Sequence, residues 1–115
     1  MQTFDFNALN QPTWPVKLGG GTPDEIVVNL AYPTTELVER LMALSTNMGD
    51  IAASKDGRMI RGAFEVIAEV LSCNMDGYTF TAEELRDKYK MSFYALTVFQ
   101  AQYYEFIAQA NNAKN

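Results

Sequence analysis

Residues Ser92 to Ala110, SFYALTVFQAQYYEFIAQA, carry a single charged side chain, Glu105. Leu96, Phe99, Tyr103, Phe106 and Ala110 recur three or four residues apart, which predicts one helix with an apolar face that must be buried. Tyr94, Val98 and Tyr104 fall off that stripe, so the helix is adhesive on more than one side. Such a helix is either enclosed by its own domain or covered by a partner, and a chain of 115 residues has little with which to enclose it. Tyrosine suits either setting, because its ring is apolar and its hydroxyl seeks water or a hydrogen-bond partner. Tyr94, Phe99, Tyr103, Tyr104, Phe106 and Ile107 are therefore the candidate partner-binding residues, with Tyr94 and Tyr104 the expected surface probes.

The rest of the chain divides at Pro33. Before it, Phe4 and Phe6 alternate with Thr3 and Asp5 as in a short strand, and Val16 to Leu18 offer another. Pro12, Trp14 and Pro15 keep this segment out of the centre of a sheet. Glu25 to Tyr32, with Ile26, Val27 and Val28, reads as a strand pairing back across Gly19, Gly20 and Gly21. Those glycines suit a hairpin turn rather than a phosphate cradle, since no lysine with serine or threonine follows them and no helix opens there.

After Pro33 the period changes. Thr34 or Thr35 can cap a helix carrying Leu37, Leu41, Leu44 and Met48 on one face, with Glu36 suited to its positive end and Gly49 and Asp50 ending it. Residues 50–57 form a connection with a helical part. From about Asp56 a further helix runs to near Asn74, with Ile60, Ala63, Phe64, Ile67, Val70 and Leu71 on its apolar side. Gly62 inside it costs about 1 kcal/mol relative to alanine, which hints at close helix packing. The expected fold is a single α+β domain, residues 1–115: a small antiparallel β element in residues 1–33 and a body of three to four helices in residues 34–115.

Composition narrows the chemistry. Histidine is absent and Cys73 is the single cysteine, which leaves no zinc constellation, no internal disulfide and no common general base. No spacing pairs a serine or threonine nucleophile with a lysine, so a non-catalytic protein without cofactor or metal is expected. The net charge of -5 disfavours nonspecific affinity for nucleic acid, and the basic cluster of Lys55, Arg58 and Arg61 reads as a solvated helix face. No run of about 18 apolar residues and no charged-then-apolar leader marks a membrane span or a secretory signal, so a cytoplasmic location is expected.

Ser72 to Glu83, SCNMDGYTFTAE, can be aligned with a calcium loop of the EF-hand type, placing Asn74, Asp76, Gly77 and Glu83 at ligand or turn positions. Ser72 replaces the leading aspartate and Thr79 the apolar eighth residue. The favoured assignment is a turn at Asp76-Gly77 followed by a capping box, Thr81 with Glu84, opening a short helix through Leu85 and Tyr89.

Three segments, PTTELVERL (Pro33 to Leu41), EVLSCNMDGYTFTAEEL (Glu69 to Leu85) and FQAQYYEFI (Phe99 to Ile107) with the terminal NAKN, give the chain a pattern that resembles the small tail assembly chaperones of long-tailed, noncontractile (siphovirus-type) bacteriophages and prophages of Gram-positive bacteria. The resemblance implies a protein that binds the tape-measure protein, keeps its long helices soluble, helps recruit tail-tube subunits, can form homo-oligomers and is left out of the mature virion. Its place of action would be the host cell cytoplasm. KYKMSF (Lys88 to Phe93) departs from the more acidic approach to the last helix that the pattern implies. The alternative class is a structural head-tail connector or tail-terminator subunit retained in the particle.

Overall fold

The computed structural model describes residues 3–6, 11–54 and 57–112. Two strands, β1 (Thr13–Leu18) and β2 (Ile26–Ala31), pair antiparallel from Thr13 with Ala31 to Leu18 with Ile26. Between them Gly19 and Gly21 take positive φ, and the turn is closed by the Thr22 amide and hydroxyl, which both donate to the Gly19 carbonyl. Trp14, Val16 and Leu18 share the inner face with Leu30, Val28 and Ile26, and Val28 and Leu30 are fully buried.

The strand expected at Phe4 and Phe6 does not form. Residues 3–5 are irregular, and the two rings meet each other edge to face with centroids 4.7 Å apart, while staying 63% and 77% exposed. Residues 7–10 lie outside the described residues. The strand begins instead at Thr13 and runs through Pro15, and the hydrogen bonding of β2 explains why proline is tolerated. The Asn29 amide donates to Asp76 Oδ2 and its carbonyl accepts from the Met75 amide, while the Ala31 amide donates to the Cys73 carbonyl. Asn29 and Ala31 therefore point away from β1, so their partners Pro15 and Thr13 point away from β2. The missing N–H of Pro15 removes no bond from the ladder.

The first helix, α1 (Thr35–Thr46), starts where Thr34 Oγ1 accepts from the Leu37 amide and buries Leu37, Leu41 and Leu44. It stops at Asn47, earlier than Gly49 and Asp50 suggested. Met48 belongs to a separate short helix, α2 (Met48–Ala53), whose change of direction brings Ile51 into the core. The third helix, α3 (Gly57–Ser72), buries Ala63, Phe64, Ile67, Ala68, Val70 and Leu71. Lys55 and Asp56 lie outside the described residues, so the expected start of this helix and one member of the basic cluster do too.

A loop then returns to the sheet. Asn74 Oδ1 accepts from the amides of Asp76 and Tyr78, its Nδ2 donates to the carbonyls of Leu71 and Tyr78, and the Asp76 carboxylate caps β2 at Asn29. The residues that invited comparison with a calcium loop are thus engaged in fixing the loop on the free edge of β2. The capping box forms as expected: the Thr81 amide donates to Glu84 Oε1 and the Glu84 amide to Thr81 Oγ1. It opens a short π-helical turn (Glu84–Lys88) that buries Leu85 and ends with Lys90 at φ 55.

The last helix, α4 (Phe93–Asn112), begins where Ser92 Oγ accepts from the Ala95 amide. Leu96 and Tyr103 enter one core with Leu30, Leu41, Ile67, Val70, Leu71 and Leu85. The result is a mainly helical α+β fold with a two-stranded sheet near its start. Among the described residues no helix is long and apolar enough to cross a membrane.

Candidate functional site on the last helix

Helix α4 is built around its aromatics. Alternation along β1 puts Trp14 on the inner face, where it stacks on Phe99 at 5.7 Å and on Phe106 at 5.8 Å, with Tyr103 behind them at 6.2 Å. Phe99 and Phe106 lie 5.9 and 5.8 Å from Tyr103 in turn, and Tyr32 meets Phe106 edge-on at 6.5 Å. At the far end Asn111 Nδ2 donates to the Tyr32 hydroxyl over 2.8 Å. The hairpin is thereby clamped along α4 for most of the helix. Such ring pairs add about 0.5–1.5 kcal/mol each beyond area burial, so the clamp is a substantial part of what holds sheet to body.

The six candidate residues separate into three environments. Tyr94 is 77% exposed and stands clear of the core. Phe99, Tyr104, Phe106 and Ile107 are half-buried and packed against it. Tyr103 has no exposed surface, so it supports the helix from within instead of offering a contact. Tyr104 also departs from its expected place on the surface, because its hydroxyl is buried and finds no partner among the described residues. The physical reason is that α4 is covered on two flanks, by the hairpin through Trp14 and by α3, which leaves a narrower open strip than helical periodicity alone indicates.

Two more polar groups share that buried position. Gln100 is 4% exposed, and neither its Nε2 nor the Tyr103 hydroxyl has a hydrogen-bond partner among the described residues. Burial, followed by the proximity of Cys73 and Tyr32 in their charged forms, pushes ionisation of Tyr103 far above the ordinary tyrosine range. Burial also raises the Cys73 thiol.

The exposed positions of α4 include a strip of Tyr94, Val98, Ala101, Glu105 and Ala108, recurring at four and three residues, and beside it Ala95, Gln102 and Gln109 are exposed as well. Val98 is 38% exposed, and a shallow, largely apolar groove of about 500 Å³ lies beside it, lined by Trp14, Pro15, Val16, Tyr94, Val98 and Phe99 together with Ala95, Lys17 and Gln102. An exposed helix face with one charge is unusual for a solvated surface and matches the spacing by which one helix takes another. Sequence reasoning missed Trp14 as the floor of this groove. The available signal was its alternation with Val16 and Leu18.

No family model matches this chain, and neither a curated protein nor a solved structure matches it.

Proposed function

We propose that this chain is a non-catalytic tail assembly chaperone of a long-tailed, noncontractile bacteriophage or prophage. It would bind helices of the tape-measure protein, keep them soluble in the host cytoplasm, aid recruitment of tail-tube subunits and stay out of the finished virion. The observation that carries this reading is the open strip of α4: Tyr94 and Val98 stand exposed beside an apolar groove on a helix with one charge. A protein whose task is to shield another's apolar helices requires such a surface, displayed on a rigid support. Trp14 and the aromatics beneath it supply the rigidity.

The strip accepts a helix in preference to a strand. The outer edge of β1 carries Pro15 and Lys17, both of which deter strand addition. Coexpression with the tape-measure protein encoded downstream, followed by pull-down, tests the proposal. The wild-type chain should keep the tape-measure protein in the supernatant, and Tyr94→Ser with Val98→Ser should lose that capture while remaining folded. Recovery of the chain from purified virions would instead identify a head-tail connector or tail-terminator subunit.

A further inference from the structure

We propose that the open strip of α4 docks against the same strip of a second copy of this chain, in a two-fold dimer whose α4 helices run antiparallel with Ala101 near the axis. The dimer uses the strip on which the proposed function rests and covers it when no other helix is bound. It does not depend on the identity of that other helix.

The strip has the spacing of a helix-pairing seam. Tyr94, Ala101 and Ala108 lie seven residues apart, and Val98, Glu105 and Asn112 repeat the interval four residues on, all of them exposed. Reversal about Ala101 sets Tyr94 opposite Ala108 of the second copy, bulky against small, at both ends of the contact. At the crossing two alanine methyl groups meet, which lets the helices approach closely.

Spacing alone admits any amphipathic helix, and the charges on one flank select a second copy. β1 lies along that flank and runs opposite to α4. Asn111, near the end of α4, donates to the hydroxyl of Tyr32, which follows the partner of Thr13, whereas Lys17 lines the groove with Tyr94, Ala95 and Val98. Glu105 lines the adjoining hollow on the same flank with Trp14, Gln102 and Gln109, and Gln109 Nε2 donates to it at 3.2 Å. Among the described residues neither Lys17 nor Glu105 forms an ion pair.

A two-fold axis lying in the plane of contact and perpendicular to both helices keeps this flank on one side of the dimer while reversing its direction. Glu105 of the second copy then falls level with Thr97, inside the stretch of α4 that Lys17 borders. Each lysine meets the other copy's glutamate, giving two equivalent ion pairs. A parallel pairing would instead set Glu105 against Glu105. Exposed ion pairs add little affinity, so they fix direction and register, while Tyr94 and Val98 supply the apolar contact. The dimer is accordingly reversible and yields to a helix that fits the strip better.

Sedimentation equilibrium of the full chain should show a concentration-dependent monomer-dimer equilibrium. Lys17→Glu and Glu105→Lys should each weaken it by about tenfold or more, because like charges then meet at both contacts. An equimolar mixture of these two variants should form a mixed dimer as readily as the wild type dimerises, since both of its contacts again join opposite charges. Ala101→Arg, at an exposed position, should abolish dimerisation and leave the circular dichroism spectrum unchanged. A wild type that stays monomeric to millimolar concentration, a mixture no more associated than its components, or a dimer indifferent to Ala101→Arg would each overturn the proposal. Capture of the tape-measure protein is measured separately by pull-down. A monomeric chain that still captures it removes the dimer alone, and a dimer that captures nothing removes the chaperone function alone.

Discussion

Trp14 lies flat against Phe99, with ring centroids 5.7 Å apart and planes only 12° from parallel. This pair joins the first strand to the last helix, so it closes a long separation in sequence. Trp14→Ala should cost about 3–5 kcal/mol, a large share of the roughly 5–15 kcal/mol available to a domain. Trp14 is the sole tryptophan, and its fluorescence in the wild-type protein should report release of the hairpin directly. A denaturation midpoint for Trp14→Ala indistinguishable from wild type would show that the clamp contributes little.

The faces of α4 should respond differently to the same substitution. Tyr94→Ser and Val98→Ser remove exposed side chains and should each change stability by less than about 0.5 kcal/mol. Tyr104→Ser instead opens a gap against the core and should destabilise by more than about 1 kcal/mol. Thermal melts of the single variants check the order, and a Tyr104→Ser protein as stable as Tyr94→Ser would place Tyr104 on the surface after all.

Alkaline sensitivity follows from Tyr103. Its ionisation is pushed up in the folded state by burial, then by Cys73 and Tyr32, so the unfolded chain loses this proton first. The associated stability is complete below the unfolded value of about 10 and declines as pH rises beyond it. Cys73, also raised, starts to contribute near its unfolded value of about 8.5. Melting temperature should therefore fall between pH 8 and 11, less steeply for Tyr103→Phe. That variant also removes a buried hydroxyl without a partner among the described residues, so at pH 7 it should be neutral or stabilising.

Asp76 ties the loop after α3 to the edge of β2 through the Asn29 amide, at 2.7 Å. Asp76→Ala should cost about 1 kcal/mol, the scale of one exposed hydrogen bond. Calcium at millimolar concentration should leave the melting temperature of both proteins unchanged, because Asn74 and Asp76 are engaged with backbone groups. A calcium-dependent rise in the wild type alone would reveal a binding loop.

Much of the local structure was legible because short-range signals agree with one another. Thr34 before an apolar period of three and four, Thr81 with Glu84, and positive φ at the glycines between two β-branched runs each satisfy backbone groups nearby. Their hydrogen bonds close within a few residues, and so they can be read without knowing the fold. Signals that need a distant partner were misread. Phe4 and Phe6 alternate like a strand but have no neighbouring strand among the described residues to pair with, whereas Trp14 and Pro15 form one because β2 lies beside them with the right groups facing inward.

The candidate site shows the same division. That α4 is a long, nearly uncharged helix with an apolar face was determined by the spacing of Leu96, Phe99, Tyr103 and Phe106, since helical geometry alone decides which of them align. Which of its aromatics reach the surface was decided by the tertiary structure. Trp14, more than 80 residues away in sequence, covers Phe99 and Phe106, and the core takes Tyr103 and the hydroxyl of Tyr104, leaving Tyr94 and Val98 outside. Burial depends on what else occupies the space around a side chain, and no periodicity along one helix contains that information.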